Sequence, residues 1–306
     1  MQADETPERD VVEGCKLSES LILNCKGHID QVIPPLLQLV VNKFRNDAPK
    51  KEFCRTELLK MVSNCLYYNP EGTLGALEAC GGTGEIFQIW LQALQTTTEA
   101  EDDDGNKIQV KTHFKGMHDQ KVCILGLSSI LRMNPASMPS TVQQGLGHIL
   151  SALIVLQKEI DENRKRKAAE AERQDDDGDD DDDAALQDFD DDCDEEVGGQ
   201  EDMDSVLLKL AQMRDGNGTW DDLFGDDEDD EDEYTSPIDD VDEVIYFVEC
   251  FKALQAAAPD QVQQVAGASL SQDQGTMLQQ LIDFAPTRAA ELEAKKAQEA
   301  QQAAQG

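Results

Sequence analysis

Residues 51–95 read KEFCRTELLKMVSNCLYYNPEGTLGALEACGGTGEIFQIWLQALQ, and the fold is decided there. Leu58, Leu59, Val62, Cys65 and Leu66 recur at the three- and four-residue spacing of one helical face. The helix they predict, from about Lys51 to Tyr68, stops at Asn69-Pro70, because the residue before a proline is pushed out of the helical region. A short helix over Glu71 to Cys80 follows and ends at Gly81-Gly82. A third, from Thr83 to Gln95, turns Ile86, Ile89, Trp90 and Leu94 inward. Apolar helices closed by proline or glycine, with no strand-like alternation, are the pattern of antiparallel helical hairpins stacked side by side.

The same pattern extends outward from this stretch. Upstream, Val32, Leu36, Val40 and Phe44 mark a stripe on a helix from Ile29 to Arg45, with Ile33, Leu37 and Val41 beside it. Pro34 and Pro35 fall in its first two turns, where the second is expected to bend the axis. Downstream, Thr96 to Lys111 is an acidic insertion that reads as a loop. The segment Asp119 to Met133 is apolar over Val122–Leu127, so both faces of its helix should be covered. From Ser140, Val142, Leu146, Ile149, Leu153, Leu156 and Ile160 form a seam that needs a partner helix. That helix runs on as a charged extension to Arg173. Its Arg164-Lys-Arg-Lys167 reads either as a nuclear localisation signal or as a basic helix end that suits the helix dipole and pairs with neighbouring acid. Helix starts near 29, 51, 71, 83, 119 and 140 are roughly compatible with a repeat of about 40 residues.

Charge is concentrated in one place. Between Asp175 and Glu243 stand 33 Asp or Glu against Lys209 and Arg214, so this stretch carries −31 of the chain's formal −38. So little apolar surface cannot offset a backbone ordering cost of about 1–2 kcal/mol per residue, so disorder is expected here. Inside it, Met203 to Met213 has the spacing of a short amphipathic helix, and Trp220, Leu223 and Phe224 make a small apolar cluster. Helical order resumes after Pro237, over Val241 to Ala257, Gln261 to Ala268 and Ser271 to Phe284, and frays beyond Pro286. The expected organisation is a disordered start or partial repeat at 1–16, helical repeats at 17–173, the acidic loop at 174–237, a further helical repeat at 238–292 and a tail at 293–306.

Several chemistries are excluded by spacing. The eight cysteines include no C-x-x-C pair, and the four histidines have no metal-binding spacing. Gly81-Gly-Thr-Gly84 lacks both the preceding strand and the Gly-Lys-Ser/Thr of a phosphate loop, and there is no G-x-S-x-G elbow. Asp215 to Asp226 resembles a calcium loop only superficially, since Trp220 stands where the sharp turn needs glycine. No catalytic residue, metal or cofactor is expected, and no apolar run is long enough for membrane insertion. The polar, acidic start and scattered thiols fit a reducing compartment. The acidic run reads either as a soluble spacer or as a polyelectrolyte arm that competes for basic protein surfaces and repels nucleic acid. Its candidate contact residues are Asp179, Asp180, Asp181, Asp182 and Asp183, then Trp220, Phe224, Asp226, Asp227, Glu228, Asp229 and Asp230.

Three stretches resemble a known family. Leu21-Ile-Leu-Asn-Cys-Lys-Gly-His-Ile-Asp-Gln-Val-Ile-Pro34, Leu66-Tyr-Tyr-Asn-Pro70 and Met117-His-Asp-Gln-Lys-Val-Cys-Ile-Leu-Gly-Leu127 are similar, in this order, to the importin-β superfamily in its importin seven and eight branch. The resemblance covers roughly Cys15 to Glu291. It implies an all-α, HEAT/armadillo-type helical-repeat solenoid interrupted by the acidic loop, in the C-terminal part of a nuclear import receptor that is not an enzyme. It also implies shuttling between cytoplasm and nucleus, with basic histone-like or ribosomal cargo, Phe-Gly repeats of the pore and the GTPase Ran as partners. The family's main Ran-binding region lies in N-terminal repeats that this chain does not contain. The other reading is a free-standing acidic chaperone for basic proteins.

Overall fold

The structure is a computed structural model that describes residues 7–101, 107–176 and 236–303. Among these are ten α-helices: α1 Glu8–Asn24, α2 Ile33–Asn46, α3 Glu52–Tyr68, α4 Pro70–Ala79, α5 Thr83–Ala93, α6 Met117–Leu131, α7 Ser140–Asp176, α8 Glu243–Ala257, α9 Pro259–Ser269 and α10 Gln272–Ala303. One antiparallel hairpin, β1 Thr97–Glu101 with β2 Lys107–Lys111, stands between α5 and α6. The described fold belongs to one unit, Met1–Lys167 with Ser236–Gly306. Ala168–Thr235 form a second unit, of which only the end of α7 is described.

The first unit is an all-α ladder of the HEAT/armadillo type. Along one row α1 packs on α3, α3 on α6, α6 on α8 and α8 on α10. In the other, α2 packs on α4, α5 approaches α7 where Gly84 faces Thr141, and α7 meets α9 where Gly147 faces Ser269. A nearly continuous apolar core lies between the rows, from Val12 and Leu37 through Leu59, Trp90, Ile124 and Leu153 to Phe247 and Leu278. The tightest crossing is α3 against α6. A Cβ on Gly126 would lie 2.1 Å from Ser63 Oγ and 2.5 Å from the Ser63 carbonyl oxygen, so glycine is what lets the two backbones come together. Ser63 Oγ donates to the Val122 carbonyl at 2.7 Å across the same crossing.

Helix ends follow local chemistry. Asn69 ends α3 and caps α4, accepting from the Gly72 N–H at 2.9 Å, while Pro70 occupies the first helical position of α4. Gly81, at φ 62°, closes α4. Its N–H reaches the Glu78 carbonyl, and the Gly82 N–H reaches Leu77, the paired bonds of a Schellman motif. Arg45 from α2 clasps that turn through the Cys80 and Gly81 carbonyls and Glu85.

Three expectations are corrected and one open alternative is decided. Helix α2 starts at Ile33, not Ile29, so Pro34 and Pro35 both fall in the first turn, where their missing N–H groups would have had no helical partner; the first such bond is Leu36 N–H to the Val32 carbonyl. Thr96 to Lys111 is not wholly loop: Thr112 and Thr96 continue a hairpin register from Thr97↔Lys111 to Glu101↔Lys107. Of the two alternatives for 1–16, the described residues take the partial repeat: they are helical from Glu8 and packed on α3 through Val12, Cys15 and Ile22. Finally α10 continues through Pro286 to Ala303. An internal proline removes one helical hydrogen bond, and the Ala, Glu, Gln and Lys residues after it are strong helix formers.

Candidate partner-binding site

The candidate contact residues Asp179 to Asp183, Trp220, Phe224 and Asp226 to Asp230 lie outside the described residues, as do Met203 to Met213, Leu223 and Cys193. What is described is the place where the chain re-enters the ladder after them, and it is built as a clamp. Ser236 is buried, and its N–H donates to Asp239 Oδ2 at 2.6 Å, turning the chain back on itself. Ile238 is buried against Val122 and Leu125 of α6, with Leu23, Tyr67 and Tyr246 around it. Lys121 Nζ donates to the Asp239 carbonyl at 3.1 Å. Asp242 then caps α8, accepting from the Val244 and Ile245 N–H groups, and is paired with Arg288 of α10. Glu243 is fully buried, and Arg164 of α7 grips both its oxygens at 2.5 and 3.1 Å. The side-chain amide of Gln157 donates to the Glu243 carbonyl at 3.1 Å.

Three helices therefore fix the returning end. This accounts for part of the basic run: Arg164 faces Glu243, and Lys165 pairs with Asp161 one turn earlier at 2.6 Å. Glu243 first, through its hydrogen bond, holds the Arg164 guanidinium above its ordinary pKa against the opposing cost of burial. Burial is the larger influence on Lys121 and lowers its pKa, although Glu243 and Asp239 oppose it.

The three resembling stretches meet beside this clamp. The Tyr68 hydroxyl accepts from the Gly27 N–H at 3.0 Å and the Ile29 N–H at 3.3 Å, closing the α1–α2 turn onto the end of α3. The Tyr67 ring lies edge-on to Tyr246 of α8, with centroids 5.5 Å apart. Lys26 stands over one ring and Arg132 over the other. The Tyr246 hydroxyl is 2.9 Å from Ser129 Oγ on α6.

A second polar cluster was missed by periodicity. Between α1, α3 and α6, Lys60 Nζ lies 2.6 Å from Asp119 Oδ1, 2.8 Å from Glu57 Oε1 and 3.9 Å from Glu19 Oε2. His118 Nε2 is 2.7 Å from Glu19 Oε1. Burial works against the Lys60 charge, yet the three carboxylates push its pKa above the ordinary value. Burial is likewise the largest influence on Glu57 and raises it, against the pull of Lys60. These residues interrupt the apolar stripe of α3, and only the neighbours that cover them explain their burial.

His113 is held by Thr56 Oγ1 at 3.0 Å, so two of the four imidazoles are engaged in helix packing. Among the described residues no cluster has the make-up of a metal site, no disulfide forms, and no helix is long and apolar enough to cross a membrane.

The fold and this clamp define a class: a helical-repeat scaffold that keeps hold of the end of a strongly acidic segment. Comparison with known proteins supplies the lineage. The chain is 34% identical to an importin beta-like SAD2 homolog of Arabidopsis thaliana over 149 residues, which are 49% of this chain and 13% of that protein. It is 33% identical to a probable importin-7 homolog of Dictyostelium discoideum over 155 residues, 49% of this chain and 13% of the other. Human Importin-8 is 30% identical over 298 residues, 92% of this chain and 26% of that protein. The chain belongs to the importin-β family of nuclear import receptors, related to its seven and eight branch. It spans 13% to 26% of the length of these relatives. No protein-family model matches it, and no solved structure matches it.

Proposed function

We propose that this chain is the C-terminal, cargo-contacting segment of a nuclear import receptor, in which the acidic stretch engages basic protein cargo of the histone or ribosomal-protein kind. The observation that carries this reading is the clamp. A stretch bearing −31 charges returns into three helices through Ile238, Asp242 and Glu243, so it is tied to the ladder at a fixed point. A polyelectrolyte held this way raises the local concentration of basic partners and speeds their encounter. Within it, Asp179 to Asp183 and Asp226 to Asp230 supply charge, while Trp220 and Phe224 offer apolar anchors. Phe-Gly repeats of the pore and the GTPase Ran are partners by lineage, as is shuttling between cytoplasm and nucleus.

The test is binding of a core histone, followed by fluorescence anisotropy between about 50 and 200 mM salt, where screening of exposed charge changes most. Affinity should fall steeply with salt, and deletion of 175–233 should remove most of that slope. Binding unchanged by the deletion, or insensitive to salt, overturns the reading. A free-standing acidic chaperone would show the same salt slope, so a Phe-Gly repeat peptide separates the two: the import segment binds it and the chaperone does not.

A further inference from the structure

The cluster around Lys60 does a different job from the clamp: it joins α1 to α3 and α6. Helix α1 rests on α3 through three buried apolar side chains, Val12, Cys15 and Ile22, with half-buried Val11 and Leu23 packed beside the core, while Leu17 and Leu21 stay exposed. With few fully buried side chains of its own, α1 is a natural unit of local opening. It has two polar holds: Glu8, which accepts from the Lys50 and Lys51 N–H groups before α3, and Glu19, which reaches His118 on α6 and Lys60 on α3.

The charges there do not balance. Glu19, Glu57 and Asp119 oppose Lys60, which leaves the cluster at −2 with His118 neutral and −1 with it protonated. Glu57 Oε2 is buried and meets no hydrogen-bond donor. A proton is therefore the cheapest way to settle excess negative charge in a largely buried place.

We propose that this cluster is a proton-operated latch on α1: with His118 protonated the helix is held on α3 and α6, and loss of that proton lets α1 open while the other described helices stay folded. The groups facing His118 support this. They are Glu19 from α1, Lys60 from α3 and Asp119 beside it, with Glu57 paired to Lys60 behind them. The acids of α8 and its lead-in, Asp239, Asp242 and Glu243, gather instead at Lys121, Arg164 and Arg288. Helix α4 keeps Glu71 and Glu78 exposed to solvent.

Both ionisations on the α1–α6 bond act in the same sense. Burial opposes the imidazolium, but the hydrogen bond and charge of Glu19 outweigh it and raise the His118 pKa. That contribution is complete below the unfolded histidine value and is lost as pH rises through the raised folded one. Burial also opposes ionised Glu19, but the His118 bond and Lys60 outweigh it and lower its pKa. Its contribution is present above the ordinary carboxylate range and is lost only as pH falls through the lowered value. The latch is therefore tightest in mild acid and loosens toward alkaline pH.

Hydrogen exchange on the full chain tests this, from about pH 5.5 to 8 with rates corrected for intrinsic exchange. Protection of α1 amides should fall across that range, by about tenfold for each unit by which folding raises the His118 pKa. His118→Gln should flatten this dependence while peptides of α7 and α8 keep wild-type protection. Glu57→Gln should protect α1 more at every pH. Wild-type α1 protection that ignores pH, or an unchanged slope in the His118→Gln protein, overturns the latch. Should His118→Gln fail to fold, NMR titration of the wild-type imidazoles decides: a His118 midpoint at or below that of an ordinary histidine is equally fatal.

Discussion

Replacing Gly126 with alanine should destabilise the protein, against the usual rule for helices. In an ordinary helix interior this exchange gains about 1 kcal/mol, because alanine loses less backbone freedom on folding. Here the added Cβ would stand 2.1 Å from Ser63 Oγ, 2.5 Å from the Ser63 carbonyl oxygen and 2.8 Å from its Cα. Two of those three atoms are backbone, so no rotamer change relieves them and α3 must move away from α6. Overpacking a well-filled core costs about 1–3 kcal/mol. Displacing the Ser63 hydroxyl from the Val122 carbonyl costs about 1 kcal/mol more. The net expectation is a loss of about 1–3 kcal/mol, read by urea or thermal denaturation as about 2–4 °C for each kcal/mol in a fold of this size. Ser63→Gly should recover only part of the loss, since it removes the hydroxyl but leaves the carbonyl and Cα, and a double-mutant cycle measures that coupling. A Gly126→Ala protein as stable as wild type, or more so, would refute the close crossing.

Other perturbations read other parts of the ladder. Arg164→Gln leaves Glu243, 1% exposed at its side chain, without its cation, and should cost about 2–4 kcal/mol; faster exchange over 236–257 with α2 and α3 unchanged is the expected signature. Tyr68→Phe strands the Gly27 and Ile29 N–H groups and should cost about 1–2 kcal/mol in denaturant, with no loss if solvent takes over both. Burial pushes the thiols of Cys15, Cys65 and Cys250 up to about 12 and that of Cys54 to about 11. At pH 8 a thiol-directed alkylator should therefore mark half-buried Cys25 and Cys80 well before these four, which wait for unfolding; rapid native labelling of Cys65 would contradict its burial.

How much of this was legible in the sequence depended on the kind of signal. Helices bounded by proline or glycine were read to within a residue or two, as at Asn69-Pro70 and Gly81-Gly82, because those residues impose backbone geometry whatever surrounds them. Boundaries that rest on the absence of a signal were read less well. In the hairpin, Thr97–Glu101 shows no alternation and that of Lys107-Ile-Gln-Val-Lys111 lasts only five residues beside an acidic turn, and α10 runs through Pro286 on the propensity of the residues beyond it. The apolar run from Val122 to Leu127 did forecast a helix covered on all sides. Helix α3 is as deeply buried, yet Glu57, Lys60 and Asn64 made one side of it look solvated.

The sequence by itself determined the helical hairpins, their order, the concentration of −31 charges over 175–243 and the family resemblance, because periodicity, helix breakers and composition act locally. Tertiary structure alone decided the partners. Glu243 finds Arg164, Asp242 finds Arg288 and Glu19 finds His118 across intervals with no sequence period, since each pair forms only where two helices converge. A charge is stable out of water only beside its counterpart, so what a polar residue does in this ladder is fixed by the helix that packs over it.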